Sequence, residues 1–176
     1  MSNIFVQEYN SPAGILLIGV YKNSCCLCDW KHRNQRSSID SRIQEFTSAT
    51  YINEVHTLHK QISNQLDSYF AGTLQEFTIE LLFCGSSFQQ SVWEVLCKIP
   101  YGEVISYSSL SRKLNNPKAI RAVASANGSN ALSILVPCHR VIGHNGALTG
   151  YAGGLVAKEK LLKIEGALWN GQQKLF

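Results

Sequence analysis

The chain changes character at Gly85-Ser86-Ser87, and that change limits its fold more than any other feature. Ahead of it lie short continuous apolar runs and a single periodic stretch. Beyond it, apolar residues recur mainly at steps of three and four. Strand-like patterns followed by helical ones predict an α+β protein. Charge shifts at the same place. Residues 1–85 hold six Lys/Arg and eight Asp/Glu, a net of −2, whereas residues 86–176 hold ten and four, a net of +6. We expect two domains, 1–85 and 86–176, the second suited to a polyanion such as nucleic acid.

Within the first half, SPAGILLIGVYKNSCCLCDW reads as a β-hairpin, two apolar runs broken at Lys-Asn-Ser. HRNQRSSIDSR is polar and reads as a loop. From Asn53 to Phe70, apolar Val55, Leu58, Ile62, Leu66 and Phe70 mark an amphipathic helix, with His56 and His59 read as surface or partly covered residues, not catalytic ones. FAGTL ends that helix at Gly72, and FTIELLF reads as a further strand.

In the second half, FQQSVWEVLCKIP predicts a helix ending before Pro100, with Cys97 as a buried thiol, and PYGEV a turn. Two short helical patterns then span Ser106 to Asn127, separated by Asn115-Asn116-Pro117. Ser106 can cap the first, and Asn116-Pro117 can restart the second as N-cap and first helical residue. On the second helix Ile120, Val123, Ala124 and Asn127 share a face suited to packing. Lys118, Arg121, Ala122 and Ser125 share another that is small and basic. Small side chains let a helix approach a phosphate backbone closely, so the pair fits a helix-turn-helix; an ordinary helical hairpin fits equally well.

Several classes are excluded. The longest apolar stretch, GILLIGVY, is too short to span a bilayer, and the N-terminal MSNIFVQEYNSP has no basic leader, so we expect a cytoplasmic protein. The six cysteines, at 25, 26, 28, 84, 97 and 138, lack paired spacing and read as reduced thiols. Cys25 and Cys28 form a C-x-x-C near His32, but zinc needs about four ligands and no second knuckle follows.

ILVPCHRVIG, residues 134–143, places Cys138, His139 and Arg140 among apolar neighbours. A nucleophilic thiol needs a base within hydrogen-bond reach and a group that orients the base. Adjacent side chains on an extended strand point to opposite faces, so His139 would need a water or a bend after Pro137 to reach Cys138. Glu165 can orient the imidazole, and Arg140 can supply fixed charge or an ion pair. From these residues alone, a nucleophile and a packed thiol both remain open. The glycine-rich GHNGALTGYAGG that follows can approach a ligand closely, and Tyr151 within it can wall a pocket for a ring. It is not a G-x-G-x-x-G, so a dinucleotide cradle is unsupported.

Taken together and in order, FQQSVWEVLCKIPYGEVISYSSL, NPKAIRAVASANGSN, ILVPCHRVIG, TGYAGG and KEKLLKIEG, spanning Phe88 to Gly166, resemble the O6-alkylguanine-DNA alkyltransferases. These are also called methylated-DNA–protein-cysteine methyltransferases. The resemblance implies a ribonuclease-H-like N-terminal α/β domain with an antiparallel sheet. It also implies a mostly helical, winged helix-turn-helix C-terminal domain that carries the active site. Cys138 would accept the alkyl group from O6 of a flipped guanine in double-stranded DNA, with O4-alkylthymine a further substrate. His139, through a water, and Glu165 would generate the thiolate, and Tyr107 would assist the leaving guanine. The pocket would be lined by Asn130, which braces the turn before Cys138, by Tyr151 and Ala152, and by the carbonyls of Cys138 and Val141. Arg121 would fill the gap left by the flipped base, while Lys118, Ala122, Ser125 and Ala126 would let the helix sit in the minor groove. A thioether product implies a single turnover by a monomer, with no cofactor and no membrane partner. Some members bind structural zinc, but Cys25, Cys26 and Cys28 depart from that pattern and no metal is expected. Asn127 and Ala152 occupy positions that vary in the family, which leaves the tolerated alkyl size open. The rival readings are a non-catalytic damage-binding protein, a transcription regulator and an unrelated Cys-His hydrolase.

Overall fold

In the computed structural model, residues 2–167 are described; Met1 and residues 168–176, the end of the expected second domain, lie outside them. Strands β1 (Ser2–Ser11), β2 (Gly14–Tyr21) and β3 (Ser24–Trp30) form an antiparallel meander. Helix α1 (Arg36–Thr47) then leads to β4 (Ala49–Ile52), which pairs parallel to β1, giving the order β3-β2-β1-β4. The sheet is therefore mixed, not purely antiparallel, because α1 carries the chain across before β4 is laid down. This helix replaces the expected loop. Ile39, Ile43 and Thr47 fall at i, i+4 and i+8 and form one buried stripe in a mostly polar sequence, while Phe46 stays exposed.

Helix α2 (Thr57–Phe70) starts later than its periodicity suggests, and Val55 is left exposed. His56 caps it, accepting from Leu58 N at 3.1 Å, while His59 Nδ1 accepts from His56 N at 3.0 Å. His59 is buried, not on the surface: its Nε2 faces the carbonyls of Phe5 and Ile18, which fixes the proton on Nε2 and ties α2 to β1 and β2. The expected strand over residues 77–83 reduces to a single bridge between Leu81 and Cys25. A second bridge, Leu132 to Cys28, joins it on β3, so two segments from farther along the chain cover that strand.

Helix α3 (Ser87–Leu96) opens with a capping box between Ser86 and Gln89. It ends before Cys97, which is exposed and not the buried thiol expected, because the buried stripe is Val92, Trp93 and Leu96. Strand β5 (Ile105–Ser106) precedes α4 (Tyr107–Lys113), capped by Ser106 as expected. Helix α5 (Ile120–Gly128) has Ala119 at its N-cap position, so Asn116 is not its cap and Lys118 lies in the turn ahead of it. The backbone of Asn116 instead closes that turn, its carbonyl accepting from Ala119 N and Ser111 Oγ. A 3₁₀ turn (Cys138–Arg140), β6 (Val141–Ile142) paired parallel to β5, and α6 (Leu155–Ile164) complete the fold.

One apolar core runs through both halves, joining Leu16, Ile18 and Leu66 to Val92, Val123 and Leu161. No helix among the described residues is long and apolar enough to cross a membrane.

Candidate active site

Cys138 is the first residue of the 3₁₀ turn, not part of a strand: Pro137 bends the chain before it, and β6 begins only at Val141. The thiol is 4% exposed and forms the floor of a cavity of about 240 Å³. Tyr107, Ala124 and Asn127 from α4 and α5 make one wall, and Gly150, Tyr151 and Ala152 the other. Asn130 links the floor to its support. Its amide donates to Cys138 Sγ at 3.2 Å and to Val136 O at 3.0 Å, and its Oδ1 accepts from Leu132 N at 2.9 Å. Burial pushes the Cys138 thiol up, while the Asn130 bond and the charge of Lys158 pull it back.

Behind the thiol, His139 is completely buried, with Nε2 at 2.6 Å from Glu165 Oε1. Glu165 also accepts from Tyr69 Oη at 2.8 Å, Arg140 Nε at 2.9 Å, Arg140 Nη2 at 3.1 Å and Gly102 N at 3.2 Å. Burial alone would push this carboxyl up, but the hydrogen bonds from His139 and Arg140 and the Arg140 charge outweigh it and hold the group at about 2. Glu165 is thus an anion that orients the imidazole with its proton on Nε2. Burial holds His139 down and neutral, so Nδ1 carries a lone pair, and that atom is buried with no hydrogen-bond partner. The arrangement can take a proton at Nδ1 and stabilise the resulting imidazolium through Glu165. Gly102 adopts φ +79°, and a Cβ there would lie 2.9 Å from Glu165 O, so only glycine brings its N–H onto the carboxylate.

Of the residues expected around the pocket, Tyr107, Asn130, Tyr151 and Ala152 line it, and Val141 does not. Val141 is completely buried behind the cavity and its carbonyl accepts from Lys158 Nζ at 2.6 Å; the Cys138 carbonyl accepts from Val141 N. Arg121, Ala122 and Ser125 share the exposed face of α5, with Lys118 exposed just ahead of it. Ala126 does not join them. It is 3% exposed, because Val123, Ala126 and Asn127 form the i, i+3, i+4 stripe that packs inward. Ile120, expected on the packing face, is exposed.

The sequence reading missed Tyr69 and Lys158. Tyr69 lies one residue from Phe70 in the α2 pattern, and the true stripe runs Ile62, Leu66, Tyr69. Lys158 is completely buried, donating to Val141 O at 2.6 Å and to Thr149 O at 2.8 Å; burial lowers it to about 8. It ties β6 to the loop that walls the cavity. Lys158→Met should leave thermal stability within about 1–2 kcal/mol, since removing a buried charge offsets two abandoned carbonyls. Amide hydrogen exchange over residues 149–154 should speed up by about tenfold or more. Unchanged exchange in that loop would show that the lysine does not hold it.

Fold and site together describe a mixed α+β protein with a buried thiol, imidazole and carboxylate in succession beside two short helices. Residues 87–167 match the family model described as "6-O-methylguanine DNA methyltransferase, DNA binding domain". A methylated-DNA–protein-cysteine methyltransferase of Methanosarcina mazei is 54% identical over 106 residues, 60% of this chain and 67% of that protein. The crystal structure of the Mycobacterium tuberculosis O6-methylguanine methyltransferase superposes with a TM-score of 0.77 at 37% identity, covering 93% of each chain. The structure of the M. tuberculosis protein in complex with DNA gives 0.77 at 36%, covering 93% of this chain and 92% of that one. The chain belongs to the methylated-DNA–protein-cysteine methyltransferase family.

Proposed function

We propose that this protein repairs double-stranded DNA by moving a methyl or larger alkyl group from O6 of guanine to Cys138, once per molecule. The observation that carries this reading is the thiol on the floor of a base-sized cavity, backed by an imidazole whose Nδ1 is unpartnered. A water bridging Cys138 and His139 Nδ1 passes the thiol proton to the imidazole, and ionised Glu165 stabilises the imidazolium. The thiolate sulfur attacks the alkyl carbon; the S–C bond forms as the C–O6 bond breaks, and the electron pair leaves with guanine. Burial pushes the Tyr107 hydroxyl up, so it stays protonated and can hydrogen-bond the departing base, polarising it without giving up its own proton. The proton taken from the thiol balances the one guanine gains.

The lesion must leave the stack to reach the cavity, and Arg121 on exposed α5 suits the vacated space, with Ala122 and Ser125 allowing a close approach to the minor groove. Lys118, in the exposed turn before α5, adds charge for the phosphate backbone. We read residues 1–85 as a ribonuclease-H-like domain and 86–176 as a winged helix-turn-helix domain; α4 and α5 supply the helix pair, and the β5–β6 pair suits the wing. Six free cysteines suit a reducing, cytoplasmic setting, and the reaction needs one copy of the chain and no cofactor.

Intact-mass spectrometry tests the reading. Excess duplex bearing one O6-methylguanine should add one methyl to each molecule, mapped to the peptide containing Cys138. No adduct with damaged duplex in excess refutes it. A duplex bearing O4-methylthymine in the same assay shows whether that lesion is also accepted.

A further inference from the structure

Helix α5 ends without a left-handed cap; Ser129 follows it at φ −89°. Its last carbonyl, Gly128 O, and the two that follow it are taken by arginines from the first half of the chain. Arg33 Nη2 donates to Gly128 O at 2.6 Å and its Nη1 to Asn130 O at 3.1 Å, while Arg42 Nη2 donates to Ser129 O at 2.8 Å. Cations at the carbonyl end of a helix also meet its dipole favourably. Arg33 is itself fixed. Its Nη1 lies 2.9 Å from Asp29 Oδ2, which Arg36 also reaches at 3.0 Å, and Asp29 is completely buried at the end of β3. The other Asp29 oxygen accepts from Ser133 Oγ at 3.1 Å. Arg42 packs over the Trp93 ring at 5.4 Å, and the Trp93 indole donates to Ala126 O at 2.9 Å.

The segment from Gly128 to Ser133 is therefore held at both ends by groups from β3, the turn that follows it and α1. At its centre is Asn130, whose carbonyl meets Arg33 and whose amide meets the Cys138 sulfur. We propose that Arg33 and Arg42 are positioning residues for alkyl transfer: they set the Asn130 amide on the thiol and fix α5 at the mouth of the cavity. This assigns the N-terminal half a part in the chemistry without contact with substrate, and it rests on Cys138 being the acceptor.

The effect has a definite sign. Besides His139 on its own turn, the charged and titratable groups around the thiol are Lys158 from α6, Asp29 from β3, Arg33 beyond it, Tyr107 from α4 and Tyr151 from the loop. Removing the Arg33 guanidinium loosens Asn130, which favours the thiolate, and leaves Asp29 less neutralised, which opposes it. Both changes move thiol ionisation to higher pH.

The experiment compares wild type, Arg33→Met, Arg33→Lys and Arg42→Gln by two readouts. The first is iodoacetamide alkylation of the Cys138 peptide against pH; the second is the single-turnover methyl-transfer rate at saturating damaged duplex. Arg33→Met should raise the alkylation midpoint and slow saturated transfer by about tenfold or more. Arg33→Lys should recover part of both, since an ammonium keeps charge but cannot fork between two carbonyls. Arg42→Gln should shift both readouts in the same direction and by less. A folded Arg33→Met protein with wild-type midpoint and saturated rate overturns the proposal. So does one that loses stability alone. If near-ultraviolet circular dichroism shows Arg33→Met unfolded, Arg42→Gln decides on the same two readouts, and wild-type behaviour there overturns the proposal. Absence of methyl transfer by wild type would instead overturn the acceptor reading, which the iodoacetamide profile does not depend on.

Discussion

Cys138→Ser should bind O6-methylguanine duplex as wild type does and transfer nothing, a loss of at least about 10⁴-fold in single-turnover rate. The two side chains are nearly isosteric, and the serine hydroxyl can accept the Asn130 amide that now meets the sulfur at 3.2 Å. Folding stability should therefore stay within about 1 kcal/mol. What is lost is ionisation. A thiol can surrender its proton to a neutral imidazole near neutral pH, and an aliphatic hydroxyl cannot. Paired measurements of duplex binding and adduct mass check both halves of this expectation. Residual stoichiometric methylation of the serine variant would place the acceptor elsewhere. If wild type and variant bound damaged duplex equally and neither formed an adduct, the non-catalytic reading would replace the one proposed.

Glu165→Ala should be costly in two separate ways. Glu165 accepts five hydrogen bonds in a buried site, so its removal strands the Arg140 guanidinium, the Tyr69 hydroxyl and the His139 ring. Breaking a buried pair on one side typically costs about 3–5 kcal/mol. Transfer should fall by about 10²–10⁴, because the imidazole loses both its orientation and the anion that stabilises its charged form. The sign of the acid dependence follows from the direction of the shift. The carboxyl is held at about 2, below its ordinary 4.5, so its contribution to stability is complete above pH 4.5 and is lost as pH falls toward 2. Urea titrations across that range should show wild type losing stability on acidification more steeply than Glu165→Ala, which has no such group. Glu165→Gln keeps the shape and should recover part of the stability but little of the rate. Parallel acid limbs for wild type and Glu165→Ala would show that this carboxyl is not held ionised by its neighbours.

Much of the fold was legible where one physical signal dominates. The β2–β3 hairpin follows from two apolar runs around a polar break, α3 from its helical spacing ahead of Pro100, and α4 from Ser106 at its start. Helix α1 was hidden because three buried positions in twelve suffice once a sheet lies beneath them, whereas a local polarity reading sees only the mostly polar rest. FTIELLF has the composition of a strand, yet the edge it meets at Cys25 offers only a single bridge. Cys138, His139 and Glu165 could be brought together on paper because a thiol needs a base and the base needs an anion. Tyr69 could not, since it approaches Glu165 from 96 residues away in sequence, and the last position of its helix stripe was read at Phe70 instead. The Arg33 and Arg42 contacts were equally out of reach: nothing local marks a surface-type residue as the cap of a helix 95 residues further along.

The pocket wall ends where Gly153 lies flat against the Trp30 indole; a Cβ at 153 would come within 2.5 Å of the ring. The strand that bears Trp30 and the loop that bears Tyr151 thus share a single volume, which neither can enlarge alone. Positions 30 and 153 should vary as a pair among related sequences, with a side chain at 153 appearing only beside a smaller residue at 30. The width of the cavity above Cys138 is in this sense an inheritance of both halves of the chain, and widening it requires edits on each side of the seam.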